Sequence, residues 1–200
     1  MDHGKKVVLA VSGSLRELSS HTLLLESLRD WIEESAEYRR YDRSARSSTS
    51  PTARAGIQEL PHFNPDLDQD EEAVHEAVRE WREALREADA VVICTPEYAR
   101  GVPGSLKNAL DWIVSSGELV NKPVAAISAS PHPEGGATAL ASLIGTLGMM
   151  NAKIPEQGTL AIPFFNSGKL GPDGKVTDPE IRSELESVAK ALLAAVRGAV

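Results

Sequence analysis

The sequence predicts an α/β fold in three layers, with five parallel strands in the order 2-1-3-4-5 between helices on both faces. Three observations carry this. Apolar, β-branched runs alternate along the chain with segments whose apolar residues recur at helical spacing. No long repeat interrupts the alternation, and successive strand-helix-strand units give a parallel sheet wrapped by helices. Most telling is the run Ala90-Val91-Val92-Ile93-Cys94, followed at once by Thr95-Pro96-Glu97-Tyr98-Ala99-Arg100-Gly101-Val102-Pro103-Gly104. A buried strand there runs into a Pro/Gly turn and then a helix, and ligands of open α/β sheets bind at such strand ends.

Residues 5–11 read as the first strand, ending in Ser12-Gly13-Ser14. The helix 19–34 follows, with Leu23, Leu24, Leu28, Trp31 and Ile32 on one face. Residues 37–41 alternate weakly and suit a sheet edge, where charges face water. Residues 44–56, rich in Ser, Thr, Ala and Arg, bury too little apolar area to offset their ordering entropy and read as a mobile loop. Two prolines rule out a helix interior across 57–68, and 71–87 reads as a helix with the stripe Val74, Val78, Trp81, Leu85. Beyond the strand 90–94, Pro103 opens a helix reaching about Ser115, with Leu106, Leu110, Ile113 and Val114 inward and Trp112 to one side. Residues 123–128 form a fourth strand and 128–136 a loop, before an Ala/Leu/Gly helix ending near Met150. A fifth strand spans 157–162, a loop 163–178 and a final amphipathic helix 179–196.

With 42% hydrophobic residues, 200 residues make one domain, 1–200, able to bury a core without disulfides or metals. The lone Cys94 forms no internal bridge, and the first apolar stretch is too short for a signal peptide or a membrane span. A cytoplasmic enzyme or carrier is expected. A net charge of −8 and a pI near 5.2 argue against a nucleic-acid surface. His3, His62, His75 and His132 lack the spacing of a metal site, and Cys94, ending a buried strand, lacks the partners of a nucleophile.

Two loops carry candidate chemistry. In Gly13-Ser14-Leu15-Arg16-Glu17-Leu18-Ser19-Ser20-His21 a helix begins, so free backbone N–H groups and the dipole face an anion. The dipole supplies roughly 0.3 to 1 kcal/mol, leaving hydroxyls of Ser14 and Ser19 and charge-assisted bonds from Arg16 to add the rest, with His21 as a further donor. The alternative is that Ser19 or Ser20 merely caps the helix and Arg16 is solvated. The loop has neither the three-glycine dinucleotide fingerprint nor the Gly-Lys-Ser/Thr ending of a triphosphate loop. The second loop, with Pro96-Glu97-Tyr98, lies at a strand end, where ligands of open α/β sheets bind. Here Tyr98 could equally be a surface turn tyrosine, and Glu97 a carboxylate approaching a helix.

Together Gly13-Ser14-Leu15-Arg16 with Ser19, Thr95-Pro96-Glu97-Tyr98, Pro103-Gly104 and Leu106-Lys107-Asn108-Ala109-Leu110-Asp111-Trp112 resemble the NADPH-dependent FMN reductase family, whose fold is flavodoxin-like. The resemblance extends from Lys5 to the C-terminal helix and takes in Gly135-Gly136 and Asp173-Gly174-Lys175. It implies an FMN phosphate on Ser14, Arg16, Ser19, Ser20 and His21. It implies an isoalloxazine against Pro96, Glu97, Tyr98 and Ala99, closed on its other side by the loop with Ser128, Ser130 and Gly135. It also implies NADPH or NADH as co-substrate, a quinone, azo compound, metal oxyanion or free flavin as small-molecule acceptor, and a homodimer or homotetramer with the 107–112 helix near its interface. No side chain is assigned as catalytic, because the flavin carries the redox chemistry. The chain departs from the family pattern at His21 and Ala99, where Asn is usual, at Gly101, usually Ser or Thr, and after Gly136, where an Arg is often found. A flavodoxin-type electron carrier, or a reductase using FMN as a loosely held substrate, are the alternatives.

Overall fold

The computed structural model describes residues 5–16, 19–41, 56–70 and 74–198. Apart from Gly56, the loop expected over 44–56 lies outside the described residues. Five strands, β1 (Val7–Ser12), β2 (Glu37–Arg40), β3 (Ala90–Thr95), β4 (Val124–Ala129) and β5 (Thr159–Ile162), form one sheet in the order β2-β1-β3-β4-β5, every pair parallel. This is the expected flavodoxin-like topology. The helices are α1 (Ser20–Glu33), α2 (Glu76–Glu87), α3 (Gly104–Asp111), α4 (Ala137–Met149) and α5 (Pro179–Arg197).

Side-chain alternation in the central strands feeds two cores. Leu9, Val11, Val91, Ile93, Val124 and Ala126 pack against α2, α3 and α4, whereas Val8, Ala10, Val92, Cys94, Ala125 and Ile127 pack against α1 and α5. Each buried Val, Leu or Ile contributes about 1.5 to 3 kcal/mol, which explains why both faces of these strands read as continuous apolar runs. The edge strand β2 behaves as expected. Tyr38 is buried and its hydroxyl donates to Leu25 O at 2.9 Å, while Arg39 pairs with Glu37 and Glu87 and Arg40 with Glu26.

Two helix boundaries differ from expectation. Helix α2 starts at Glu76, capped by His75, whose Nδ1 accepts from Ala77 N; residues 71–73 lie outside the described residues. Helix α3 stops at Asp111, and turns follow, which takes the next residues out of helical phase. Hence Val114, expected inward, is 44% exposed, and Trp112, expected at one side, is 1% exposed. Its Nε1 donates to Pro61 O at 2.8 Å and its ring meets Phe63 edge-on.

Helix α3 also anchors the proline-rich segment, whose only helical pieces are single 3-10 turns at Ile57–Glu59 and Pro65–Leu67. The Asn108 amide donates to Pro61 O at 2.9 Å and accepts from Phe63 N at 2.8 Å. Nearby, the buried Arg82 guanidinium pairs with Asp68 and donates to Trp112 O.

Strand register sets the ligand end of the sheet. Ser12 is level with Cys94, Thr95 with Ser128, and Ala129 with Ile162, so the loops after β1, β3, β4 and β5 emerge side by side.

Candidate functional site

The loop after β1 closes tightly on β3. Gly13 N donates to Cys94 O at 2.8 Å, and a Cβ at Gly13 would lie 2.8 Å from Thr95 Oγ1 and 2.9 Å from Leu106 Cδ2, so only glycine fits. Ser14 is buried, its N–H donating to Ser12 Oγ and its Oγ accepting from Arg16 N. Ser19 is the N-cap of α1, its Oγ accepting from His21 N, and Ser20 is the first helical residue. Arg16 stays exposed beside that helix end. The capping reading of Ser19 therefore holds, and it coexists with an electropositive helix N-terminus.

His21 departs from the expected phosphate donor. The residue is only 7% exposed, with Nε2 3.0 Å from Ala129 O and Nδ1 3.3 Å from Ser19 Oγ. The carbonyl can only accept, so Nε2 carries the proton and Nδ1 accepts from the Ser19 hydroxyl. Burial lowers the imidazole pKa, the Ala129 bond partly offsets this, and the Arg16 charge lowers it further. Both ring nitrogens are spent on protein partners. His21 ties the start of α1 to the end of β4.

The loop after β3 makes a tight turn. Tyr98 and Gly101 exchange backbone hydrogen bonds at 2.9 and 3.0 Å, while Ala99 and Arg100 both take positive φ, at 50° and 62°. Such a pair defines a type I′ turn, for which Asn and Gly are the favoured residues. Tyr98 is 52% exposed on its rim. Glu97 turns back, its carboxylate accepting from Ala139 N at 3.0 Å in the first turn of α4, so it does approach a helix. Pro96 is buried beneath, its carbonyl accepting from Thr95 Oγ1.

The loop after β4 is bolted down. Ser128 Oγ donates to Thr95 O at 3.0 Å, Ser130 N donates to Ile162 O, and Phe165 N donates to Ser130 O. Gly135 and Gly136 have φ of 60° and 77°; a Cβ on Gly136 would lie 2.2 Å from Ser128 Oγ, and one on Gly135 2.7 Å from Pro163 N. The pair lets the loop lie flat against the strand ends.

Between these two loops lies a cleft of about 350 Å³, lined by Glu97, Arg100, Ser130, His132, Pro133, Glu134 and Gly136. Arg100 and Glu134 face each other across it at 3.9 Å. Of the residues expected from sequence, Glu97 and Ser130 line the cleft. Tyr98 and Ala99 form the turn on its rim, Ser128 and Gly135 brace its wall, and Ser14, Arg16, Ser19 and Ser20 cluster at α1. Sequence reasoning missed Arg100, His132 and Glu134 as lining residues, although all three lie inside loops already singled out. Among the described residues no group of three potential metal ligands occurs, and no helix is long and apolar enough to cross a membrane. Cys94 is fully buried, and burial pushes its thiol pKa up, so it is no nucleophile.

An electropositive helix end beside a cleft, both at the strand ends of a flavodoxin-like sheet, define a protein of the flavin-binding α/β class. The family model described as NADPH-dependent FMN reductase matches residues 7–167, and the chain belongs to that family of oxidoreductases. The NADPH azoreductase of Bacillus sp. (strain OY1-2) is 37% identical over 132 residues, 66% of this chain and 72% of that protein. A probable NADPH:quinone oxidoreductase 2 of Oryza sativa subsp. japonica is 29% identical over 188 residues, 94% of this chain and 87% of that one. Among solved structures, the flavoenzyme NAD(P)H:(acceptor) oxidoreductase FerB of Paracoccus denitrificans superposes with a TM-score of 0.80 at 28% identity, covering 96% of this chain and 98% of its own. The residues present fit FMN: the helix N-terminus of α1 with the exposed Arg16 suits an anionic tail, and glycine at 136 lets the β4 loop sit directly on Ser128 and form one wall of the cleft.

Proposed function

We propose that this protein uses FMN to pass reducing equivalents from NADPH or NADH to a small-molecule acceptor, a quinone, azo compound, metal oxyanion or free flavin. The observation that carries the reading is the adjacency of the α1 anion cradle and the cleft between the β3 and β4 loops. Ser14 and Ser20 hold the phosphate through their hydroxyls, Arg16 through its guanidinium, and Ser19 through the helix N-terminus that it caps. The turn from Pro96 to Ala99 and the loop with Ser128, Ser130 and Gly135 flank the ring. When bound, FMN supplies the capacity to take up and deliver a hydride.

The chain's own part is preorganisation. Ser128 locks the end of β4 to Thr95 O, Glu97 locks the β3 turn to α4, and His21 locks α1 to Ala129, so the cleft walls are set before any ligand arrives. Tyr98, on the rim, offers an aromatic face for a planar ligand. The site lies within one domain, 1–200, acting in the cytoplasm, where NAD(P)H is supplied.

The working unit is a homodimer. Helix α4 has no charged residue along its length, and Ala141, Ser142, Gly145, Gly148 and Met149 are exposed on it. A Cβ on Gly145 or Gly148 would meet nothing within 4 Å, so the chain's own packing does not require these glycines. Glycine inside a helix costs about 1 kcal/mol, and a second copy pressed close against this face gives that cost a purpose.

The visible spectrum of the purified protein, recorded with and without added FMN and then after anaerobic NADPH, tests the reading. Bleaching of bound FMN is expected; absence of bleaching with FMN present refutes it. A carrier of the flavodoxin type would bind FMN without accepting electrons from NADPH.

A further inference from the structure

We propose that His132 is the proton donor to the electron acceptor in this cleft, a role that rests on the reductase reading above. Two-electron reduction of a quinone needs one hydride and one proton. The hydride comes from NAD(P)H by way of the cofactor, and the proton must come from water or from a group in the cleft wall. The lining side chains that could act are few. The Arg100 guanidinium is a hydrogen-bond donor and not a general acid. The Glu97 carboxylate is engaged as the acceptor of Ala139 N. Ser130 Oγ accepts from His132 N, and an alcohol is a poor acid. Glu134 faces the Arg100 guanidinium across the mouth. His132 brings the one side chain on this wall whose chemical type exchanges protons around neutrality.

Its placement is fixed, although its ring is free. His132 N donates to Ser130 Oγ at 3.2 Å, and its carbonyl accepts from Gly135 N at 3.1 Å and Phe164 N at 3.3 Å. Pro131 and Pro133 stiffen the backbone on either side. No hydrogen bond or ion pair engages the imidazole among the described residues, so it is available to a ligand in the cleft and to water at its exposed edge.

The step balances. The imidazolium N–H bond breaks and its electron pair stays on nitrogen. That proton and the hydride convert the two quinone C=O groups to C–OH, NAD(P)H is the species oxidised, and water reprotonates the imidazole.

Two measurements test this. In the first, the oxidised FMN-loaded protein is treated with diethyl pyrocarbonate with and without duroquinone, and carbethoxylation of His132 is read by mass spectrometry. Protection by duroquinone is expected, and equal labelling overturns the proposal whether or not the protein is active. In the second, His132→Gln and His132→Ala are reduced by NADPH and mixed anaerobically with duroquinone or ferricyanide, the latter taking electrons without a proton. The loss on duroquinone is expected to exceed the loss on ferricyanide by about 100-fold. Equal losses on both acceptors, or none, overturn the donor assignment. Wild-type protein that NADPH fails to bleach sinks the reductase reading instead, and the donor with it.

Discussion

The imidazole of His21 and the carbonyl of Ala129 are joined by a 3.0 Å hydrogen bond that links the first turn of α1 to the end of β4, 108 residues later in the chain. The phosphate end and the ring end of the proposed FMN site are thereby one mechanical unit.

Removing that bond should loosen both ends together. His21→Ala is expected to weaken FMN and riboflavin alike, by about 1 kcal/mol or roughly fivefold in Kd. Arg16→Ala should weaken FMN alone, because riboflavin lacks the phosphate. Fluorescence titration with the two flavins distinguishes the patterns, and a His21 variant that spares riboflavin would contradict the linkage.

The same residue makes stability depend on pH. Burial holds the His21 pKa below its ordinary value of 6.5, so the folded protein keeps the ring neutral where the unfolded chain takes up a proton. The unfolded state then binds more protons, and stability rises with pH across that interval. His21 therefore contributes fully above pH 6.5, and its contribution declines as pH falls below that value toward the folded pKa. Melting temperatures between pH 7.5 and 5.5 should drop more steeply for the wild type than for His21→Asn; parallel curves would rule this out.

Ala99 sits at φ 50° in a turn that suits Asn. Ala99→Asn is expected to relieve about 1 kcal/mol of backbone strain and raise Tm by roughly 2 to 4 °C in a chain of this size. Differential scanning calorimetry checks it, and an unchanged or lower Tm would mean that the turn carries no such strain.

Gly145 is the sharpest probe of the proposed dimer. Gly145→Gln adds a good helix former pointing into open space, so circular dichroism should retain the helix content. Sedimentation velocity should nevertheless move toward the monomer. A dimer that persists places the interface elsewhere.

Much of this was legible because the physics was local. The strands β1, β3 and β4 are buried on both faces, and a parallel strand in that position has no choice but an unbroken apolar run. The edge position of β2 followed from Arg39 and Arg40, and the site loops followed from Pro96, Gly135 and Gly136. What escaped was nonlocal. The orientation of Trp112 depends on α3 ending at Asp111, and nothing in the periodicity around Leu110 and Ile113 marks that end. The partner of His21 lies on a distant strand, so a histidine in a helix-start loop read naturally as a ligand for an anion. His132 and Arg100 became visible as cleft residues only when the β3 and β4 loops were brought face to face.

Asn108 has a consequence for protein engineering. By pairing with Pro61 O and Phe63 N it ties the 61–63 segment to α3. A substitution at Asn108 therefore frees the 61–63 segment as well as altering α3, so the two cannot be engineered separately.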